Sequence, residues 1–371
     1  MSDRHASPAD LIELCARALE RARAHGAEVA DACAESSRSF TVRAHGGSVD
    51  SLKQSGTRGL GVRAIVGDAV GFASGTDLSP AGLDDLARRA VALARFATPD
   101  PANGAPTAAE VDAATAGDLQ LFDPLALEWT PGRKIELALD TDGASVSSSG
   151  GAFAIANTHG VARSWEGTSV SAWVVALADD RDGRQQTGAE GMSVRRLADL
   201  APAEKLARAA AARAVSRIGA RSVPTTRVPV VMHPDIGGAW LAEMADAWSG
   251  ESVIKRSSWL TGKLDEPVAS SLVTLVDDGT LPARLGSSPY DGEGLRCWIT
   301  ADWRCSSTTT TTPDGPASRP PRAHCGAGRT RRASAFTTCT WSRERSRRRR
   351  SCARWTAASI STIRARSAST P

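Results

Sequence analysis

The feature that most constrains this chain is a change of alphabet at Leu295: from Arg296 to Pro371 there is not one Leu, Val, Met or Lys. Protein interiors are filled largely by branched aliphatic side chains, so these residues cannot build an ordinary packed core, and the stretch is expected to be disordered. Of the 45 Lys and Arg in the 371 residues, 16 lie here, all of them Arg, against three of the 41 acids, Asp302, Asp314 and Glu344. The preceding 295 residues therefore carry a net charge of −9, although the whole chain sums to +4. Two unlike pieces are joined, and each functional reading rests on one or the other.

Two readings of residues 296–371 compete. The run from Arg343 to Arg350 has the charge to neutralise phosphates and release counterions, as a nucleic-acid-binding arm would. Against this, a solvated arm seldom holds Trp298, Trp303, Trp341, Trp355 and five cysteines. The reading that composition favours is a frameshift in a GC-rich gene, where out-of-frame translation yields mainly Arg, Ser, Thr, Ala, Pro and Gly. Thr337 to Glu344 admits codons whose frame two nucleotides on spells Asn-Leu-Tyr-Leu-Glu-Pro-Gly, an alternating strand followed by a turn.

The first 295 residues suffice for two domains with real cores. Their two cysteines, Cys15 and Cys33, are too few for a disulfide framework, which fits a reducing compartment. The later five lack the paired short spacing of a zinc ribbon. No apolar run of signal-peptide length opens the chain, and none approaches the ~18 residues of a membrane span. A cytoplasmic protein without a membrane partner is expected.

Local signals predict an α+β fold of mixed helices and antiparallel sheets, in two domains. Ser7 as cap, Pro8 at the first helical position, a Leu11, Leu14, Cys15 and Leu19 stripe and Gly26 as stop predict a helix. Strands are expected at 28–34, 39–44, 58–66 and 69–74, divided by turns at Gly46-Gly47, Ser55-Gly56 and Gly67-Asp68. A helix capped by Ser79 and opened by Pro80 runs to Phe96, which completes an N-terminal α+β domain, 1–97. Residues 98–130 read as a linker. In 131–225, a helix from Pro131 to Leu139 precedes a meander of strands at 152–157, 162–165, 169–177 and 184–191, then an Ala- and Arg-rich helix from Pro202 to Arg217. Residues 226–295 begin a C-terminal domain with a strand from Arg227 to Met232 and a helix from Ile236 to Trp248. That domain is expected to be truncated by the break, with 296–371 as a frameshifted, disordered tail.

The usual catalytic constellations are missing from the sequence. His5, His25, His45, His159 and His233 precede the break and none pairs with another at a metal-ligand spacing; His159, in Asn157-Thr158-His159-Gly160, reads as a turn residue. There is no Gly-x-Ser-x-Gly elbow, no Gly-x-x-x-x-Gly-Lys phosphate loop and no His-Glu-x-x-His. Gly59-Leu60-Gly61-Val62-Arg63 is too short for a dinucleotide fingerprint.

One long constellation does carry information. Gly59 to Ala64, Gly71-Phe72-Ala73-Ser74-Gly75-Thr76-Asp77-Leu78-Ser79, the Thr98-Pro99-Asp100-Pro101 turn, the stretch from Ser249 to Leu260 and that from Leu285 to Gly294 follow one another in order. Together they resemble the TldD/PmbA family, in its PmbA (TldE) branch, over about residues 10–294. The resemblance implies a subunit that pairs as a heterodimer with a TldD-type catalytic subunit, the pair being a zinc metallopeptidase acting on peptide substrates. It further implies roles in leader-peptide trimming and antitoxin degradation, and the older description of the family as modulators of DNA gyrase.

In TldD-type subunits the helix matching Trp240 to Trp248 resembles Leu-His-Glu-x-x-x-His, where both His bind zinc and the Glu serves as base. Laid on this chain, the ligand positions fall on Ala242 and Ala247, and Glu243 alone remains at the catalytic position. A methyl group cannot coordinate zinc. No cofactor is therefore expected in this chain, zinc is expected in the TldD-type partner, and the matching helix here is a pseudo-active site. Glu243 is otherwise a solvent-facing helix carboxylate. Lys255 and Arg256 either complement the carbonyl end of that helix or bind a peptide carboxylate or partner acids. Asp291 and Glu293 either face a substrate channel or solvate a Gly-rich turn, the turn being favoured. Ser257, Ser258, Ser287 and Ser288 read as turn formers. The alternatives are a self-sufficient peptidase and a nucleic-acid- or gyrase-associated modulator; nucleic acid is not an expected partner on the first reading.

Overall fold

The computed structural model describes residues 6–101, 103–111, 117–141, 143–244, 247, 252–253, 255–263, 266, 268, 274–295 and 299–304. The frameshift and disorder expected of 305–371 fall outside them. Helix α1 (Pro8–Ala24) forms where its cap predicts: the Ser7 hydroxyl accepts from the Asp10 N–H and the Asp10 carboxylate accepts from the Ser7 N–H. Such a cap contributes about 1 kcal/mol. Burial of Leu11, Leu14 and Leu19, at about 1.5–3 kcal/mol each, decides which face of the helix turns inward.

That face rests on β1 (Val29–His45), which continues into β2 (Ser48–Val66) and β3 (Ala69–Gly75). The strands expected at 28–34 and 39–44 are one strand, and the expected Ser55-Gly56 turn is absent, because Gly56 pairs with Arg38 inside the β1–β2 ladder. Gly46-Gly47 does reverse the chain, with φ of 60° and 71°. A single tight turn thus sets the register of two long strands. Helix α2 (Pro80–Phe96), capped by Ser79, packs on β3.

Beyond α3 (Pro124–Glu128) and α4 (Pro131–Asp140), strands β4 (Ala144–Asn157), β5 (Ala162–Asp179) and β6 (Gln185–Val194) form the expected meander, and α5 (Ala203–Val215) returns over it. β4 starts no second sheet. It pairs with β1 from Asp31 opposite Asn157 to Arg43 opposite Ser145, which makes one six-stranded sheet of order β3-β2-β1-β4-β5-β6. The boundaries expected at 97 and 131 therefore divide the sequence but not the sheet. Pairing β1 on both sides satisfies both edges of a strand that would otherwise leave one ladder unpaired.

Helices cover one face. Ala30, Ala32 and Ala34 of β1 and Ala152, Ala154 and Ala156 of β4 join Leu14, Cys15 and Ala18 of α1 and Leu86 and Ala90 of α2 in a core of small residues. The closest approaches use glycine: a Cβ on Gly71 would lie 2.0 Å from Ala90 O and 2.3 Å from Ala94 N, and one on Gly188 would lie 2.1 Å from Ala210 O and 2.3 Å from Ala214 N. The same pairing, a strand glycine against two alanines one helical turn apart, seats α2 on edge strand β3 and α5 on edge strand β6.

Three later expectations change. Arg227 to Met232 is not a strand; no described strand pairs with it, and Val231 is 100% exposed. An apolar run becomes a strand only against a partner edge. The helix expected at 236–248 is α6 (Pro234–Met244), with Trp248 outside the described residues. Past the break, β8 (Ile299–Arg304) pairs antiparallel with β7 (Thr274–Asp278), so part of the stretch expected to be disordered is a strand. Ile299, Thr300 and Trp303 supply β-branched and aromatic strand formers without any Leu or Val.

Gly71→Val is expected to lower stability by about 2 kcal/mol or more, read as a lower urea midpoint. Gly132→Ala, where a Cβ meets nothing within 4 Å, leaves the midpoint unchanged or raises it. Cys15 is fully buried and burial pushes its thiol up to about 12. Iodoacetamide at mildly alkaline pH should spare the Cys15 peptide in the folded chain and modify it in urea, as mass spectrometry would show.

Candidate functional site

Strand alternation turns Asp31 and Arg63 to the face opposite the alanines. There Arg63 Nε donates to Asp31 Oδ2 at 2.6 Å, Nη2 donates to Gly104 O at 3.1 Å, and the same Nη2 stands 3.7 Å from Glu293 Oε1. Burial raises the Asp31 carboxyl above its ordinary range even though Arg63 opposes this. For Arg63 burial disfavours the charge, but Asp31 and then Glu293 outweigh it and raise the guanidinium pKa. Further along the face, the Arg163 guanidinium lies 5.1 Å from the centre of the Tyr290 ring, Tyr290 is 6.1 Å from Trp165, and Trp165 stacks on Phe153 at 5.6 Å. Just past β6, Arg195 donates to the carbonyls of Leu285 at 2.7 Å and Arg284 at 3.3 Å, and burial lowers its pKa to about 10. Three arginines, from β2, β5 and the end of β6, thus strap residues 284–293 to the sheet.

The residues singled out from sequence divide between this strap and helix α6. Asp291 is a turn residue, as favoured: its Oδ1 accepts from the N–H groups of Glu293 at 2.8 Å and Leu295 at 3.0 Å. Glu293 departs from the favoured reading, because its side chain is only 9% exposed and lies beside Arg63 instead of solvating the turn. On α6, Ala242 is half-buried and Glu243 is exposed, with none of the described hydrogen bonds or ion pairs involving it. Ala247 lies past the end of the helix, where its carbonyl accepts from Ser258 Oγ at 2.6 Å. Lys255 and Arg256 occupy an exposed turn in which Arg256 has a φ of 56°. Ser257, Ser287 and Ser288 donate to the carbonyls of Ser252, Leu281 and Tyr290, in keeping with turn roles.

On the correspondence that the resemblance implies, Ala242 and Ala247 offer no donor and Glu243 one carboxylate, whereas a catalytic zinc needs about three N, O or S donors. Asp31, Arg63, Trp165, Arg195 and Tyr290 were not singled out as site residues. Arg63 left a signal, a charge between Val62 and Ala64 on a strand with one buried face, while the partners of the others lie far away in sequence.

Models of the PmbA/TldA metallopeptidases match in order: domain 1 over residues 30–94, the central domain over 124–218 and the C-terminal domain over 225–298. The chain belongs to the PmbA/TldD family. It is similar to the metalloprotease PmbA of Escherichia coli, 28% identical over 302 residues that cover 77% of this chain and 66% of that protein. A PmbA homolog from Haemophilus influenzae is 26% identical over 251 residues, 64% of this chain and 55% of that one. The chain thus spans about two thirds of these relatives or less. Among solved structures, a Bacteroides thetaiotaomicron protein described as a modulator of DNA gyrase shares the fold with a TM-score of 0.72 at 20% identity, covering 78% of this chain and 69% of that one. TldE from Thermococcus kodakarensis gives 0.61 at 17% identity, covering 75% and 65%. No described helix is long and apolar enough to cross a membrane.

Within this PmbA/TldD fold the Arg63 cluster joins the first matched domain to the third. Removing one member of a buried ion pair leaves a buried charge and costs about 3–5 kcal/mol. Because the Arg63–Asp31 pair is partly exposed and burial already favours the neutral Asp31 carboxyl, Arg63→Met should cost less than that, about 1–3 kcal/mol, and speed hydrogen exchange in 284–295, whereas Arg63→Met with Asp31→Leu should recover much of the stability.

Proposed function

We infer that this chain is a PmbA/TldE-like, non-catalytic subunit that works with a TldD-type zinc metallopeptidase in cutting peptides, leader peptides among them. The observation that carries this reading is the pair of alanines, Ala242 and Ala247, at the two ligand positions of a domain that otherwise matches the family's C-terminal metallopeptidase domain. The partner supplies the metal and with it the activated water. This subunit supplies surface, and the exposed Lys255 and Arg256 are suited to a peptide carboxylate or to acids of the partner. The working compartment on this reading is the cytoplasm. The Arg-rich residues and the gyrase description of a structural relative are the basis of the modulator alternative, and no described residue favours it.

The full chain mixed with a TldD-type subunit should co-purify with it and support peptide cleavage that a chelator abolishes. The chain alone should cleave nothing. Chelator-insensitive peptidase activity from the isolated chain would overturn the assignment.

A further inference from the structure

Among the described residues, the sheet has a stretch of edge that no strand pairs, beside a cleft. β5 pairs with β4 from Ala162 to Val174, but with β6 only from Val170 onward. Before that point, the outer edge of β5 is met where the Thr168 N–H donates to Leu121 O at 2.9 Å. Alternate residues of a strand send their N–H and C=O groups to the same side, and the β4–β5 register runs without a bulge. Ser164 and Glu166 therefore direct theirs outward, as Thr168 does, and no described hydrogen bond engages them. They open on a shallow, open cleft of about 580 Å³ between β5, residues 117–122 and Pro289-Tyr290.

The walls of the cleft have two characters. Trp165 and Tyr290 present aromatic surface, with Phe122 exposed beside them. The charge is acidic: Glu166 and Asp118 line the cleft, whereas Arg196 is held by both carboxylate oxygens of Asp199, at 2.7 and 2.9 Å. We propose that this edge binds an extended peptide that adds as a strand along Ser164 and Glu166, with an aromatic or large apolar side chain against Trp165 and Tyr290 and a Lys or Arg beside Glu166 and Asp118. In-line backbone donors and acceptors give such binding its affinity, and the pockets for alternate side chains give it selectivity. The proposal rests on the peptide-handling reading above for its class of ligand. It gives the subunit that lacks zinc ligands a direct hold on substrate.

The test is fluorescence anisotropy on the full chain, at low ionic strength, with a labelled and acetylated heptapeptide alternating Lys and Phe. Tighter binding by about tenfold is expected over the same peptide with Glu in place of Lys. Methylating alternate backbone amides of the Lys peptide keeps its side chains but removes its strand hydrogen bonds, and should weaken binding by about tenfold. Glu166→Lys, with an unchanged circular dichroism spectrum, should abolish the charge preference, since Asp118 then faces an opposite charge. Equal binding of the Lys and Glu peptides, full binding of the methylated peptide, or no binding at all would overturn the proposal. Because the measurement needs no protease, failure to support a TldD-type subunit would sink the functional reading and leave this result standing.

Discussion

Backbone pairing between β1 and β4 is the constraint on which the rest of this structure depends. It makes β1 an interior strand, so that its alanines lie against α1 and α2 on one face while Asp31 is carried to the other, beside Arg63. It also places Phe153 opposite Glu35 and Asn157 opposite Asp31 on β1, although more than a hundred residues separate the members of each pair in sequence. Without that ladder the first and second family domains would be two half-covered sheets. With it, the face opposite the helices becomes one platform, on which 284–293 and the 103–106 stretch are held by side chains from both.

The edges of the platform are treated differently. α2 and α5 close in over β3 and β6 through Gly71 and Gly188, where any side chain would collide with helix backbone. The distal part of β2, Ser48 to Arg58, is exposed on both faces but carries Asp50, Lys53 and Arg58, the kind of charged edge that discourages pairing with other chains. The step in β5 before Val170 carries Arg163 and Glu166, but no described strand pairs with its outer edge. It has a cleft with aromatic walls, which is why the same backbone geometry reads there as a place to bind.

Much of the helical content was legible because caps are local. Ser7-Pro8, Ser79-Pro80 and Thr130-Pro131 each place a hydroxyl to accept an early N–H and a proline where no N–H is needed, and α1, α2 and α4 begin there. Strand pairing is not local. Residues 39–44 and 28–34 look like two strands when Glu35 to Arg38 is read alone, and like one when Phe153 to Gly150 lies alongside. The Val-rich 227–232 stretch erred in the opposite sense, since its pattern was right and its partner edge was missing among the described residues. In the site, Asp291 was legible as a turn former because its partners are two and four residues away. Glu293 was misread because the guanidinium that turns it inward lies 230 positions earlier.

Arg195 carries a consequence for how such a protein can change over generations. It grips the strap through main-chain carbonyls, which every amino acid provides, and burial rather than a carboxylate partner governs its charge. These grips do not depend on the identity of the side chains at 284, 285 and 287. Arg284, whose side chain none of the grips uses, can change without undocking the loop so long as its backbone path is kept, whereas Leu285 and Ser287 are buried and Arg195 itself cannot drift: lysine has no planar fork to span several carbonyls at once. Sequence divergence in the loop and constancy of its position are compatible outcomes of one guanidinium.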